Sequence, residues 1–562
     1  MPPSRHRLMV LACALSLLGG VLSAGAAAAA GPLAGPRLSV NVALGRHAIS
    51  ADIYGVNFAD TSSARSLGLT VDRWGGNSTT RYDYLTGFHN TGSDWYFENI
   101  PPDSPTVRPH DAFILGDRSA GLRTVMTVPL IGWTPKAPSP AKHPYACGFP
   151  RSAFPSQDSF DQYDGGCGNG LHNGTALRGN DPAATSTAIG PAWVGAWVKA
   201  LRTSYGSAAN GGVAYIELDN EPSLWDSTHR DVHPAALTYN ELLSRTVAYA
   251  AAVRSADPSV KIIGPSDWGW CAYFFSAADP GHCSTGADRT AHGGTALVPW
   301  YLGQLRAHQA QHGTRLLDVL DEHYYPQADG VSLAPAGNAA TQALRLRTTR
   351  SLWDGTYKDE SWISQTAPGG VAVALIPRLR TWVANQYPGT GLGMTEYNFG
   401  GLESLNGALA EADVLGILGR EGLQLATLWG AGPASQPWAF AFRMFRDSDG
   451  NGARFGSTSV QALSYDPAQP GRPNGGQDQL AVYAAQRSDG TLTVMVINKT
   501  NHALASDLGL SGLTPAASAH LWRYSGSDLK HVQHLADAAV TSHSLHATYP
   551  ASSITLLVLP SR

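Results

Sequence analysis

The sequence predicts a (β/α)8 barrel joined to a C-terminal β-sandwich that an N-terminal strand completes. Three observations carry this. Short apolar runs alternate with helical stretches from about residue 50 to 445, which makes eight strand–helix units. Several of the runs are continuously apolar, as parallel strands buried on both faces require. Beyond about residue 455 the helical periodicity stops and strand patterns alone continue. The expected boundaries are 1–30 for a signal peptide, 31–48 for the N-terminal strand, 49–450 for the barrel and 451–562 for the sandwich.

At the N-terminus, Arg5 and Arg7 precede an apolar run from Leu8 to Leu22, and small residues follow from Ala24 to Ala30. The run is short for a bilayer span, and the order of parts is that of a secretory signal peptide. The mature chain is therefore expected outside the cytoplasm, secreted and free of the membrane. Four cysteines remain after cleavage, Cys147, Cys167, Cys271 and Cys283. An even number in an exported chain favours disulfides. Pairing of sequence neighbours, Cys147–Cys167 and Cys271–Cys283, is favoured among three arrangements; four buried thiols are the alternative. No spacing matches a zinc site.

Two domains fit the 562 residues. Charged residues make up only 15% and the net charge is −4, so nothing in the charge favours nucleic acid or an anionic membrane. The surface is left to uncharged polar side chains, which suits a neutral polar ligand. A monomer is expected.

The barrel strands are placed, in order, at Ile53–Phe58, Thr70–Trp74, Thr124–Pro129, Val213–Asp219, Lys261–Pro265, Leu317–His323, Leu392–Glu396 and Leu423–Trp429. Between them lie helical patterns at Trp193–Ser204, Ala235–Ser255, Leu297–His312 and Ala408–Glu421, with Asp257-Pro258 as a stop. Long insertions at 134–187, 268–295 and 327–370 each follow a strand, which puts them on the face where barrel catalysis occurs. In the sandwich, Leu480–Gln486 and Thr491–Ile497 flank the turn Arg487-Ser-Asp-Gly490, and His520–Tyr524 and Ile554–Leu559 continue the pattern.

Two carboxylates carry the chemistry. The fourth strand stops at Asn220-Glu221-Pro222, and Pro222 cannot continue a ladder. The seventh presents Glu396. Glycoside hydrolysis needs a proton donor and a second carboxylate, and both residues stand at strand tips. Glu221 is the expected acid/base and Glu396 the expected nucleophile; either alone would read as an ordinary surface residue. Glu217 and Asp219 lie inside the strand and are expected to orient neighbours or to pair with Arg73. Arg73, in Arg73-Trp-Gly-Gly-Asn77, can hold a carboxylate ionised. Asn220 can bond a sugar 2-hydroxyl, and Asn77, His323, Tyr325 and Tyr397 are candidates for sugar or carboxylate contacts. Trp429 offers a flat face to a pyranose. Trp74, Trp95, Trp133, Trp268, Trp270, Trp353 and Trp362 fall in or near candidate top-face loops. Asp447, Asp449 and Asn451 resemble half of a calcium loop, but the twelfth position is Thr458, so a plain turn is the simpler reading. A structural calcium ion is the one ion this leaves open, and no cofactor is required.

Ile53-Tyr-Gly-Val-Asn57, Arg73-Trp-Gly-Gly-Asn77, Asn90-Thr-Gly-Ser-Asp-Trp95, Asp219-Asn-Glu-Pro222, Thr395-Glu-Tyr-Asn398 and Ala412-Asp-Val-Leu-Gly-Ile417 together resemble glycoside hydrolase family 44, as does Ala441-Phe-Arg-Met-Phe445 with Asp449-Gly-Asn-Gly452. The resemblance implies a barrel plus sandwich, retention of configuration, and endo-action on β-1,4-glucans such as carboxymethylcellulose or xyloglucan. It assigns the acid/base to Glu221 and the nucleophile to Glu396. The insertion at 134–187 does not match the family pattern. The alternatives are the same mechanism on xylan, mannan or another β-linked glycan, and a non-catalytic polysaccharide-binding protein. Retention of both glutamates counts against the latter.

Overall fold

Eight parallel strands close into a barrel: Gly55–Asn57, Val71–Trp74, Arg123–Val128, Tyr215–Leu218, Lys261–Asp267, Val319–Glu322, Gly391–Tyr397 and Leu425–Leu428. The ring closes where Thr427 pairs with Gly55. The computed structural model describes residues 31–137, 143–365, 372–469 and 471–561; the expected signal peptide lies outside them. Each of the eight expected strands is present. At their N-terminal ends Val71, Val125, Tyr215, Ile263, Val319 and Leu425 form an apolar cluster that plugs the barrel. The opposite ends carry polar side chains, and the site lies there.

The outer helices follow from local signals. Pro191–Tyr205 begins on a proline, whose fixed φ suits the first turn. Tyr239–Ala256 is capped by Thr238, whose hydroxyl accepts from the Glu241 amide at 3.2 Å, and stops before Asp257-Pro258. The helix Leu405–Arg420 is different: every residue from Asn406 to Gly419 is buried. A helix apolar all round must be covered on all sides. This one lies between barrel and sandwich. Its Asp413 accepts from the Tyr483 hydroxyl at 2.7 Å and pairs with Lys499 at 2.5 Å; Tyr483 is on a sandwich strand and Lys499 directly follows another.

The sandwich contains Thr458–Tyr465, Leu480–Gln486, Leu492–Asn498, Leu504–Ser511, Ser518–Ser525, Asp528–Ala539, Ser544–Tyr549 and Ser553–Leu559. The N-terminal strand Arg37–Asn41 is laid between two of them, antiparallel to Thr458–Tyr465 and parallel to Leu504–Ser511. Leu38 and Val40 thereby enter a core with Val482, Val494, Leu508 and Leu557. Four strands are additional to those expected: Thr458–Tyr465, Leu504–Ser511, Asp528–Ala539 and Ser544–Tyr549. Leu504–Ser511 carries Asp507 and Gly509, which weaken a strand pattern. Ser544–Tyr549 alternates but is short, and Asp528–Ala539 is a mostly exposed edge.

Disulfides join Cys147 to Cys167 and Cys271 to Cys283, the favoured pairing. Asp449 Oδ1 accepts the amides of Asn451 and Ala453, both at 2.9 Å, and Asp447 Oδ1 accepts that of Gly452. These bonds close the segment into a turn. Among the described residues no helix is long and apolar enough to cross a membrane.

Candidate active site

The tip of the fourth strand is bent out of line. Asp219 and Glu221 both take positive φ, 70° and 47°. This left-handed backbone costs a non-glycine residue about 1–2 kcal/mol. Asp219 secures it by accepting from Thr80 Oγ1 at 2.6 Å, the Asn220 amide at 2.8 Å and the Ile131 amide at 3.0 Å. Burial still lifts its carboxyl to about 6, against those bonds. The Glu221 amide donates to Ser266 O at 2.9 Å. The bend aims the Glu221 side chain into the barrel mouth.

Arg73 stands at the centre. Nε donates to Glu217 at 2.7 Å, Nη1 to Glu396 at 2.7 Å and to Asn57 at 3.0 Å, and Nη2 to Asn220 at 2.8 Å. The fork of the guanidinium thus ties together strands one, two, four and seven. The two glycines after it are steric requirements. A Cβ on Gly75 would lie 2.2 Å from the Arg73 guanidinium carbon, and one on Gly76, where φ is 85°, would lie 2.6 Å from the Trp429 ring. Asn220 Oδ1 also accepts from the Gly76 amide at 3.1 Å, and its Nδ2 donates to Asn77, which in turn donates to Asp94 at 2.9 Å.

The two glutamates meet across the mouth. One oxygen of each, with a ring nitrogen of His323, lie within 4.8 Å of one another. His323 Nδ1 is 3.0 Å from Glu221 Oε1 and 3.6 Å from Glu396 Oε2. Tyr325 donates to Glu396 Oε2 at 2.8 Å. The surroundings treat the pair differently. Burial raises Glu221, and the Glu396 charge adds to this; the His323 hydrogen bond only partly opposes it. Glu396 is also desolvated, but His323, Arg73 and Tyr325 overcome that and hold it below the usual range. For His323, burial disfavours the imidazolium. The charge of Glu396 and the bond to Glu221 prevail and lift it to about 9. The same three groups are spaced to hold a metal, but the Arg73 guanidinium already supplies positive charge to this carboxylate pair.

A cleft of about 490 Å³ opens over the pair, lined by Phe58, Asn77, Trp95, Tyr325, Leu333 and Trp429 among others. Of the residues expected from sequence, Arg73, Asn77, Asn220, His323, Tyr325 and Trp429 gather here. Tyr397 does not. It is fully buried and donates to Glu411 at 2.8 Å, because neighbours on a strand point to opposite faces and Glu396 takes the inward one. Of the other tryptophans, Trp95 lines the cleft, Trp270 is buried, and Trp353 lies under the Arg420 guanidinium at 4.4 Å, near the sandwich. Asn57, Phe58, Asp94 and Leu333 were not singled out. Asn57 and Phe58 could have been, since they end the first strand as Glu221 and Glu396 end theirs.

Residues 88–328 match glycoside hydrolase family 44. The chain is 30% identical to an endoglucanase A of Paenibacillus lautus, over 93% of this chain and 72% of that protein. The chain belongs to glycoside hydrolase family 44. Two solved structures share the fold over nearly the whole chain. One is a bifunctional glucanase-xylanase from a metagenome library, with TM-score 0.88 and 39% identity over 94% of this chain and 99% of that one. The other is a family 44 xyloglucanase of Paenibacillus polymyxa, with TM-score 0.77 and 27% identity over 94% and 100%. In this family 44 chain Tyr163, within the insertion that follows the third strand, stacks on the cleft residue Trp95, with ring centroids 6.3 Å apart.

Proposed function

We propose that this glycoside hydrolase is a secreted, retaining, endo-acting enzyme that cuts β-1,4-glucan backbones, with xyloglucan and soluble cellulose derivatives as substrates. The observation that carries the reading is the opposite treatment of two carboxyls within 4.8 Å, one raised and one lowered. A separation of about 5 Å leaves no room for a water between carboxylate and sugar, which favours a covalent intermediate over inversion.

Glu396, ionised by Arg73, His323 and Tyr325, attacks the anomeric carbon. Glu221 delivers its proton to the leaving glycosidic oxygen as that bond breaks. A water then enters on the side the leaving sugar vacated. Glu221, now a base, takes its proton, and the oxygen displaces Glu396, so that the first configuration is restored. Asn220 has one amide hydrogen engaged by Asn77, and the other is free for a 2-hydroxyl. Trp429 and Trp95 offer flat faces along the cleft for pyranose rings. No cofactor enters this scheme, and a single chain suffices for it. Secretion is supported by the basic and apolar N-terminal segment and by two disulfides.

Proton NMR of early hydrolysis tests the mechanism: the β-anomer of the new reducing end should come first, and the α-anomer first would overturn it. A panel of xyloglucan, carboxymethylcellulose, xylan and mannan with product sizing tests the substrate. The similarity to a glucanase-xylanase favours xylan as a second substrate. Binding to all four without release of reducing ends would overturn the enzymatic reading.

A further inference from the structure

The sandwich carries a cluster outside the hydrolytic machinery. Ring nitrogens of His520 and His534 and a carboxylate oxygen of Asp537 lie within 4.8 Å of one another, and all three residues are exposed. The local register explains their meeting. Trp522 pairs with His534, so these two share a face, and His520, two residues before Trp522, shares it too. Asp537, three residues from His534, would by simple alternation point away. The register shifts between Ala519↔Ala538 and Leu521↔Leu535, so that Ala536 and Asp537 together oppose His520. A bulge of this kind re-aims a side chain, and here it brings Asp537 to the face of the histidines.

We propose that His520, His534 and Asp537 form a binding site for a late first-row divalent cation, zinc being the representative. Two imidazoles and one carboxylate are the donor set of open zinc sites, with water in the fourth position. His520 Nδ1 already lies 3.0 Å from Asp537 Oδ1, close to the ~3.3 Å edge that ~2.0 Å bonds give in a tetrahedron. The His534 ring is stacked on Trp522 at 4.3 Å, which fixes its plane while leaving its nitrogens open to the face. Among the described residues no hydrogen bond from either His534 nitrogen competes with a metal. The site joins the edge strand Asp528–Ala539, at the end of the sheet, to its one neighbour Ser518–Ser525. An ion there pins an edge that is otherwise held from one side only.

The experiment titrates zinc chloride into the chelator-treated full-length protein by isothermal calorimetry. The wild type should take up one saturable equivalent at micromolar zinc. His520→Ala and His534→Ala should each weaken that step by at least about tenfold. Glu221→Gln should leave it unchanged, which separates it from zinc entering the catalytic cleft. The double variant His520→Ala/His534→Ala should keep the wild-type hydrolysis rate and the metal-free unfolding midpoint, because both side chains are exposed and remote from the cleft. Absence of saturable binding in the wild type would overturn the proposal. So would binding that persists in the double variant or disappears in Glu221→Gln.

Discussion

Arg73 Nη1 donates to Glu396 Oε1 at 2.7 Å, and both side chains are almost wholly removed from water. A buried carboxylate tends to take up a proton, and this contact is one of the reasons Glu396 stays ionised. Lysine keeps the charge but cannot reach four partners with one fork. Arg73→Lys should therefore lower kcat/KM on xyloglucan by on the order of 100-fold, the equivalent of ~3 kcal/mol for a charge-assisted contact. An activity within threefold of wild type would refute this.

The two proposed roles predict different losses. Glu221→Gln should slow polysaccharide hydrolysis by about 10²–10⁴-fold, the usual worth of a positioned proton donor. It should spare formation of the glycosyl-enzyme from aryl glycosides, whose leaving groups need little protonation. Glu396→Gln should abolish turnover on both kinds of substrate. Steady-state and burst kinetics on matched substrates distinguish them, and the reverse pattern would exchange the roles.

The pH profile of kcat/KM should be bell-shaped. Glu396 is lowered, so the acid limb falls below 4.5; Glu221 is raised, so the alkaline limb falls above 4.5. These are values of the pair rather than of either residue alone. His323 lowers both carboxyls, so His323→Gln should move both limbs to higher pH as the maximum rate falls. A profile that lost height without moving would show that His323 acts by shape alone.

Glu411 gives a prediction for stability. Burial raises its carboxyl to about 8, and the Tyr397 hydroxyl only partly opposes this. The folded pKa lies above the unfolded one. This contribution is complete below the usual 4.5 and is lost as pH rises through about 8, on the order of a few kcal/mol. Glu411→Gln, which keeps an acceptor for Tyr397, should remove part of the fall in unfolding midpoint between pH 6 and 9. An unchanged slope would mean that another group controls it.

Removing the outer disulfide as Cys147→Ser/Cys167→Ser should cost about 3 kcal/mol by loop entropy, for its separation of 20 residues. KM for long polysaccharides should rise more than KM for short oligosaccharides, since the loop carries Tyr163 beside Trp95. Equal changes for both would detach the loop from substrate binding.

The barrel was legible because its strands are continuous apolar runs, and Glu221 and Glu396 because each ends one. The partners of Arg73 were only partly legible. Glu217 was assigned to orient neighbours or to pair with Arg73, and it does pair. Asn57 joins the same guanidinium from another strand, at a distance in sequence that no local pattern records. Tyr397 follows Glu396 in sequence yet lies away from the cleft, because a strand sends consecutive side chains to opposite sides. Leu333 reaches the cleft from a long loop, where neither period 2 nor 3.6 applies. The sandwich edge Asp528–Ala539 escaped notice because exposure on both faces removes the alternation that marks a strand.

The placement of Arg37–Asn41 has a consequence for biogenesis. Its hydrogen-bonding partners, residues 458–511, are translated only after the whole barrel. At about 5–20 residues per second, the first strand waits on the order of half a minute or more with its apolar side chains unhoused. A chaperone that shields the nascent leading segment should raise the yield of active enzyme, whereas one acting on the trailing half should matter much less.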